Sequence, residues 1–193
     1  MSQFEYVMVL VSIVLGLGIT HLLVGVGSLI YRVSGQGKAV RLYGGHLLWV
    51  AFVFLYLIGF WWWEFSWAGA ENWGLLLYFF LVLYATSLFL LCEVLFPRQS
   101  DDVDDFETYF MATRKWFYGL FLLATAVDVT ESYLKGPEYM ERLGGLYWTL
   151  IATLVIVAAI GIAKTGRLLH IGLALIALLM QMTQLLATYP LLG

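Results

Sequence analysis

Charge is scarce in this sequence. Only 12% of its 193 residues are Asp, Glu, Lys or Arg, about half of what a soluble domain carries. The 10 basic and 13 acidic residues leave a net charge of −3, so there is no basic face to hold a nucleic acid. Cysteine occurs once, at Cys92, which excludes an intrachain disulfide framework and any multi-cysteine metal site. Proline occurs three times. The catalytic signatures GxSxG, HExxH and the phosphate-binding P-loop are missing, and the G-x-G at Gly16 and Gly18 lies inside an apolar run rather than after a strand. No motif names a cofactor.

What remains is apolar. The hydrophobic set makes up 62% of the chain, aromatics make up 17%, and mean hydropathy is +0.88. Such a chain has too little polar surface to cover itself in water, so its solvent partner is the lipid bilayer. A spanning helix needs about 20 mainly apolar residues. Six stretches meet that need: 4–30, 42–63, 74–96, 116–134, 144–163 and 168–192. The first is too long for a signal peptide and opens on Glu5 rather than on basic residues. The expected fold is a single all-α integral membrane domain, 1–193, with six transmembrane helices and short loops.

The basic residues orient it. Arg32, Lys38 and Arg41, then Arg98, Arg114 and Lys115, then Lys164 and Arg167 fall on one side, against Lys135 and Arg142 on the other. The positive-inside rule places both termini outside. Trp61, Trp62, Trp63, Trp67 and Trp73 crowd the outer turn between helices 2 and 3, as an interfacial aromatic belt would. In the 98–115 loop, Ser100 is the expected N-cap, with Asp101, Asp102, Asp104 and Asp105 in the first turn. Val103, Phe106, Phe110 and Thr113 then follow at helical spacing. This predicts a short amphipathic helix on the cytoplasmic surface, leading into helix 4.

Gly44-Gly45 with Trp49, and Gly144-Gly145 with Trp148, open helices 2 and 5 alike. Helices 3 and 6 run from Gly74-Leu75-Leu76 to Pro97 and from Arg167-Leu168-Leu169 to Pro190. Two inverted three-helix halves, an arrangement transporters use, would produce these pairs, and so would chance.

Polar residues inside a bilayer face protein or water, so their angular positions are informative. On helix 1, Gly18, His21, Gly25 and Ser28 share an arc of about 80°, with Gly16, Thr20 and Gly27 opposite, which predicts a central helix contacted from two sides. On helix 6, His170, Ala174, Ala177, Gln181, Gln184 and Thr188 form one stripe, facing either other helices or water. On helix 4, Tyr118, Phe121, Thr125, Asp128, Ser132 and Lys135 share a face, with Glu131 placed to pair with Lys135. The candidates for a polar pathway are therefore His21, Asp128, Gln181 and Gln184. His21, His46, Glu93 and His170 lie in the cytoplasmic half and carry ligand types suited to zinc or haem, although none has paired ligand spacing on one helix.

Two stretches, Phe4-Glu5-Tyr6 with the 16–23 run Gly-Leu-Gly-Ile-Thr-His-Leu-Leu, and the 114–120 run Arg-Lys-Trp-Phe-Tyr-Gly-Leu, resemble a group of small six-helix bacterial inner-membrane proteins. The resemblance implies a bacterial plasma membrane and no activity. The leading expectation is permeation of an ion, proton or small solute along a path lined by helices 1, 4 and 6, in a homo-oligomer, most simply a dimer. The alternative is a non-catalytic accessory or assembly subunit of a larger membrane complex. A haem- or metal-bearing redox protein comes third.

Overall fold

The computed structural model describes residues 2–69, 73–98 and 102–188. Among these residues it is all-helical. The helices are α1 (Gln3–Val33), α2 (Gly44–Glu64), α3 (Leu75–Leu95), α4 (Phe106–Leu134), α5 (Pro137–Ala163) and α6 (Arg167–Thr188), with a 3-10 turn at Phe65–Gly69. Five of them, all but α4, are long and apolar enough to cross a membrane. α4 has 29 residues but carries Arg114, Lys115, Asp128 and Glu131 along its length.

Local chemistry accounts for the helix ends. Ser2 and Glu5 form a capping box on α1, with Glu5 N–H donating to Ser2 Oγ at 3.2 Å and Ser2 N–H donating to Glu5 Oε2 at 2.8 Å. Gly136, at φ 98°, makes the tight turn after α4, and Pro137 starts α5 where its missing N–H costs nothing. α5 begins earlier than the expected 144. It is bent at Gly144, whose φ of 63° suits glycine, so a short outer segment joins the apolar span at an angle.

Among the described residues no separate amphipathic helix precedes helix 4. α4 runs unbroken from Phe106, and its cap is Asp105, which accepts from Glu107 N–H at 3.0 Å. Ser100 and Asp101 lie outside the described residues, and Asp102 and Asp104 precede the helix instead of forming its first turn. Arg41 explains the shift. Arg41 N–H donates to Asp104 O at 2.7 Å, and Phe106 N–H donates to Arg41 O at 3.1 Å, which ties this segment to the α1–α2 loop.

α2, α6, α5, α4 and α3 pack in that order, and α3 closes back on α2. α1 leans on α3 from outside and only brushes α2. Helix 1 is thus peripheral rather than central. The arc with Gly18 and Gly25 meets α3, where added Cβ atoms would come within 3.1 Å of Cys92 Sγ and 2.4 Å of the Phe96 ring. The opposite arc is open: nothing lies within 4 Å of a Cβ built on Gly16 or Gly27, and Thr20 is exposed. The two halves also pack differently, since α1 sits on α3 whereas α4 sits on α5. Pro190, one of the repeat markers, lies outside the described residues.

The middle of the five-helix ring is aromatic. Trp49 lies with ring centroids 5.4 Å from Phe52, 4.9 Å from Phe117, 5.5 Å from Tyr118 and 5.6 Å from Phe121, all edge-on. These side chains are buried and form a layer across the bundle. At the end rich in basic residues, the Arg32 guanidinium is buried and donates to three carbonyls: Lys38 (2.9 Å), Val103 (2.8 Å) and Ala39 (3.1 Å).

Candidate functional site

The polar face read on α4 turns inward. Tyr118, Phe121, Thr125 and Ser132 are buried, and Asp128 is half-buried one turn beyond Thr125. The Asp128 carboxylate bridges three helices. Tyr84 of α3 donates to Oδ1 at 2.9 Å, and Tyr147 of α5 donates to Oδ2 at 2.9 Å. Tyr84 shares a second hydrogen bond of 2.9 Å with Tyr56 of α2, and Tyr147 also donates to Ser132 at 3.2 Å.

A second cluster lies one turn further toward the aromatic end. Lys135 Nζ is 2.8 Å from Glu131 Oε1, 3.5 Å from Glu64 Oε1 and 3.1 Å from the Trp63 carbonyl. It also stands over the rings of Tyr139 (4.9 Å) and Trp67 (5.9 Å). Trp67 Nε1 donates to Glu131 Oε1 at 2.6 Å. Trp67 is buried, so it is not simply part of an interfacial belt. Exposed Arg142 also contacts the Tyr139 ring, at 5.7 Å.

Asp128 with Tyr56, Tyr84, Tyr147 and Ser132, and Trp63, Glu64, Glu131 and Tyr139 of the second cluster, line one partly enclosed cavity, shared with Gln181 and Gln184 of α6. Its space open to water centres is about 20 Å³, enough for one or two waters. The α6 stripe is buried as far as it is described: His170, Ala174, Ala177 and Gln181 are fully covered and Gln184 nearly so, while Thr188's side chain lies outside the described residues. Among the described residues neither polar atom of the Gln181 amide has a hydrogen-bond partner, and neither does Glu64 Oε2. Toward the basic end the cavity stops at the aromatic layer, because Phe52 and Phe121 lie one turn below Tyr56 and Thr125.

The structure thus brings together Asp128, Gln181 and Gln184 but not His21, and no α1 residue lines the cavity. His21 Nδ1 pairs instead with Glu93 Oε1 at 3.3 Å on the α1–α3 seam, where both side chains are partly exposed. His46 is buried against Phe96 and Phe106 with its Nε2 2.6 Å from Leu95 O. His170 lies against Tyr118, whose hydroxyl is 2.9 Å from its Nδ1. The four residues weighed as metal or haem ligands therefore sit in three separate places. Among the described residues no three His, Cys, Asp or Glu side chains gather as a metal-binding group.

Several site residues were not singled out in the sequence, namely Glu64, Tyr56, Tyr84 and Tyr147, and Trp67 was read only as part of an aromatic belt. Glu64 reads as an interfacial acid beside three tryptophans, and the tyrosines disappear into a chain that is 17% aromatic. The usable signals were the α6 stripe, which holds Gln181 and Gln184, and the α4 periodicity with its Glu131–Lys135 spacing. Compared with known proteins, the chain matches no family model, no curated protein and no solved structure.

Proposed function

We propose that the protein spans the membrane six times and passes a proton or small cation, with the Asp128–Gln181–Glu64 cavity as its binding station. The observation that carries this reading is a charge imbalance. Three carboxylates, Asp128, Glu131 and Glu64, surround a water-sized cavity whose paired ammonium is Lys135 alone among the described residues. Uncompensated charge is costly away from water, so the cluster is completed by protons or a bound cation. The Gln181 amide, buried and unpartnered, adds an unmet demand for a polar occupant.

α4 serves as the sixth span in this reading. At about 1.5 Å per residue its 29 residues reach about 43 Å, and its mid-helix acids, Asp128 and Glu131, are covered by or bonded to neighbouring helices. The path is then lined by α4 and α6 together with α2, α3 and α5, without α1. The basic loops put both termini outside, so the cavity belongs to the outer half of a bacterial plasma membrane protein. The Trp49 layer closes the inner half, and passage requires it to part. A symmetric oligomer belongs to the same proposal, with the open face of α1 as its contact.

Proteoliposome flux with an internal pH dye, in graded salt gradients, tests this. The wild-type protein carries protons or a small cation, and Gln181→Leu or Asp128→Leu lowers flux at least about tenfold, the loss of one hydrogen bond to a charged group. Flux unchanged in both variants overturns the proposal. The accessory-subunit reading draws on α1, whose far face around Thr20 is unpacked. Stoichiometric copurification with a larger complex, without flux, decides for it.

A further inference from the structure

We infer that the occupant of this cavity is a water-sized cation that donates hydrogen bonds, an ammonium or hydronium ion, rather than a bare metal ion. The inference rests on the reading of the cavity as a cation station and names its ligand class. The unmet groups are specific. Glu64 Oε2 and Gln181 Oε1 are buried acceptors without partners among the described residues, and Gln181 Nε2 and Trp63 Nε1 are buried donors without them. All three residues line the cavity.

Most of the other carboxylate oxygens already accept hydrogen bonds: both Asp128 oxygens, Glu64 Oε1 and Glu131 Oε1. Asp128 accepts from Tyr84 and Tyr147, and Glu131 accepts from Trp67 and Lys135. A bare ion needs a cage of oxygens to replace its hydration shell, and among the described residues no three acids gather closely enough to form one. A donor cation needs only a few directed acceptors plus negative charge. The space for one or two water-sized bodies then holds that cation and one water, whose oxygen meets the donors of Gln181 and Trp63.

The protein itself shows which cation these walls accept. Lys135 brings a primary ammonium into the adjoining cage, held by two carboxylates, the Trp63 carbonyl and the faces of Tyr139 and Trp67. Aromatic faces with carboxylates at their edges favour ammonium-type ions. A second donor cation beside Lys135 leaves the group of three acids and two cations one charge from neutral.

The test is thermal unfolding of the detergent-purified full chain in ammonium, potassium, sodium or tetramethylammonium chloride at constant ionic strength. Ammonium is expected to raise Tm saturably, at a half-saturating concentration at least about tenfold below that of potassium or sodium. Gln181→Met and Glu64→Gln, each checked for wild-type helix content, raise that concentration about tenfold, while Glu93→Gln on the α1–α3 seam leaves it unchanged. If no salt cation acts, infrared spectra decide for hydronium through a protonated-water band that disappears in Gln181→Met. Sodium or potassium equalling ammonium overturns the inference, as does an ammonium effect unchanged in both cavity variants. So does the lack of both a cation effect and a protonated-water band. Binding without flux leaves the inference standing and sinks the permeation reading; flux indifferent to Gln181 and Glu64 does the opposite.

Discussion

The Tyr84 hydroxyl on α3 donates to Asp128 Oδ1 on α4 at 2.9 Å, and Tyr147 on α5 takes the other oxygen at the same distance. One carboxylate therefore ties three helices together. Interhelical hydrogen bonds of this kind contribute about 0.6–2 kcal/mol each. Tyr84→Phe is expected to cost about 1 kcal/mol in denaturant unfolding in micelles. Asp128→Leu removes both of these bonds, leaving the phenols only Tyr56 and Ser132, and costs more than Tyr84→Phe or Tyr147→Phe alone. A double-mutant cycle between Tyr84 and Asp128 reads the coupling directly.

Lys135 is expected to be the most sensitive of the buried charges. Lys135→Met leaves Glu131 and Glu64 facing each other without a cation, at a cost of about 3–5 kcal/mol. Adding Glu131→Gln restores part of that loss, because it removes one of the stranded charges. A double variant less stable than Lys135→Met alone would contradict the pairing.

Gly161 on α5 is a packing requirement. A Cβ there would stand 2.3 Å from two carbons of the Tyr118 ring. Gly161→Ala displaces that ring from His170 and destabilises by about 1–3 kcal/mol, as overpacking does. Gly119, with nothing within 4 Å of an added Cβ, accepts alanine without that loss and serves as the control. Thermal melts of the two variants compare them.

Arg32 joins two loops through all three of its guanidinium nitrogens. A lysine keeps the charge but cannot reach three carbonyls in a fixed plane. Arg32→Lys is therefore expected to lose about 2 kcal/mol, nearly as much as Arg32→Met. Hydrogen exchange at 38–41 and 103–105 should rise in both variants.

Asp105 makes the same junction acid-sensitive. Desolvation works against its carboxylate, but donors from Glu107 N–H and Thr108, with the Arg41 charge, outweigh it and hold the carboxyl below its ordinary range. A carboxyl lowered on folding stabilises above its unfolded value, near pH 4, and that contribution is lost as pH falls through the lower folded value. Wild-type Tm should therefore drop below about pH 4 more steeply than that of Asp105→Asn, which still caps α4. Parallel acid profiles would refute the assignment.

Composition and periodicity determined that the chain is helical, that most of its helices are long and apolar enough to cross a membrane, and which residues face inward on α4 and α6. Those properties follow from local chemistry: apolar length, the 3.6-residue repeat and the cost of a polar group in hydrocarbon. Tertiary packing alone decided what the inward residues meet. His21 and Gln181 are both polar residues within apolar runs, yet α1 packs outside the ring and carries His21 to Glu93, while α6 closes the ring and turns Gln181 into the cavity. Glu64, Trp67 and Lys135 likewise lie at helix ends that sequence reads as membrane interface. They form a buried cage because the 3-10 turn folds Trp67 back onto α4. Helix periodicity gives the direction of a side chain but not its neighbour, and in lipid, where apolar faces are nearly equivalent, close packing and a few buried hydrogen bonds choose the neighbour.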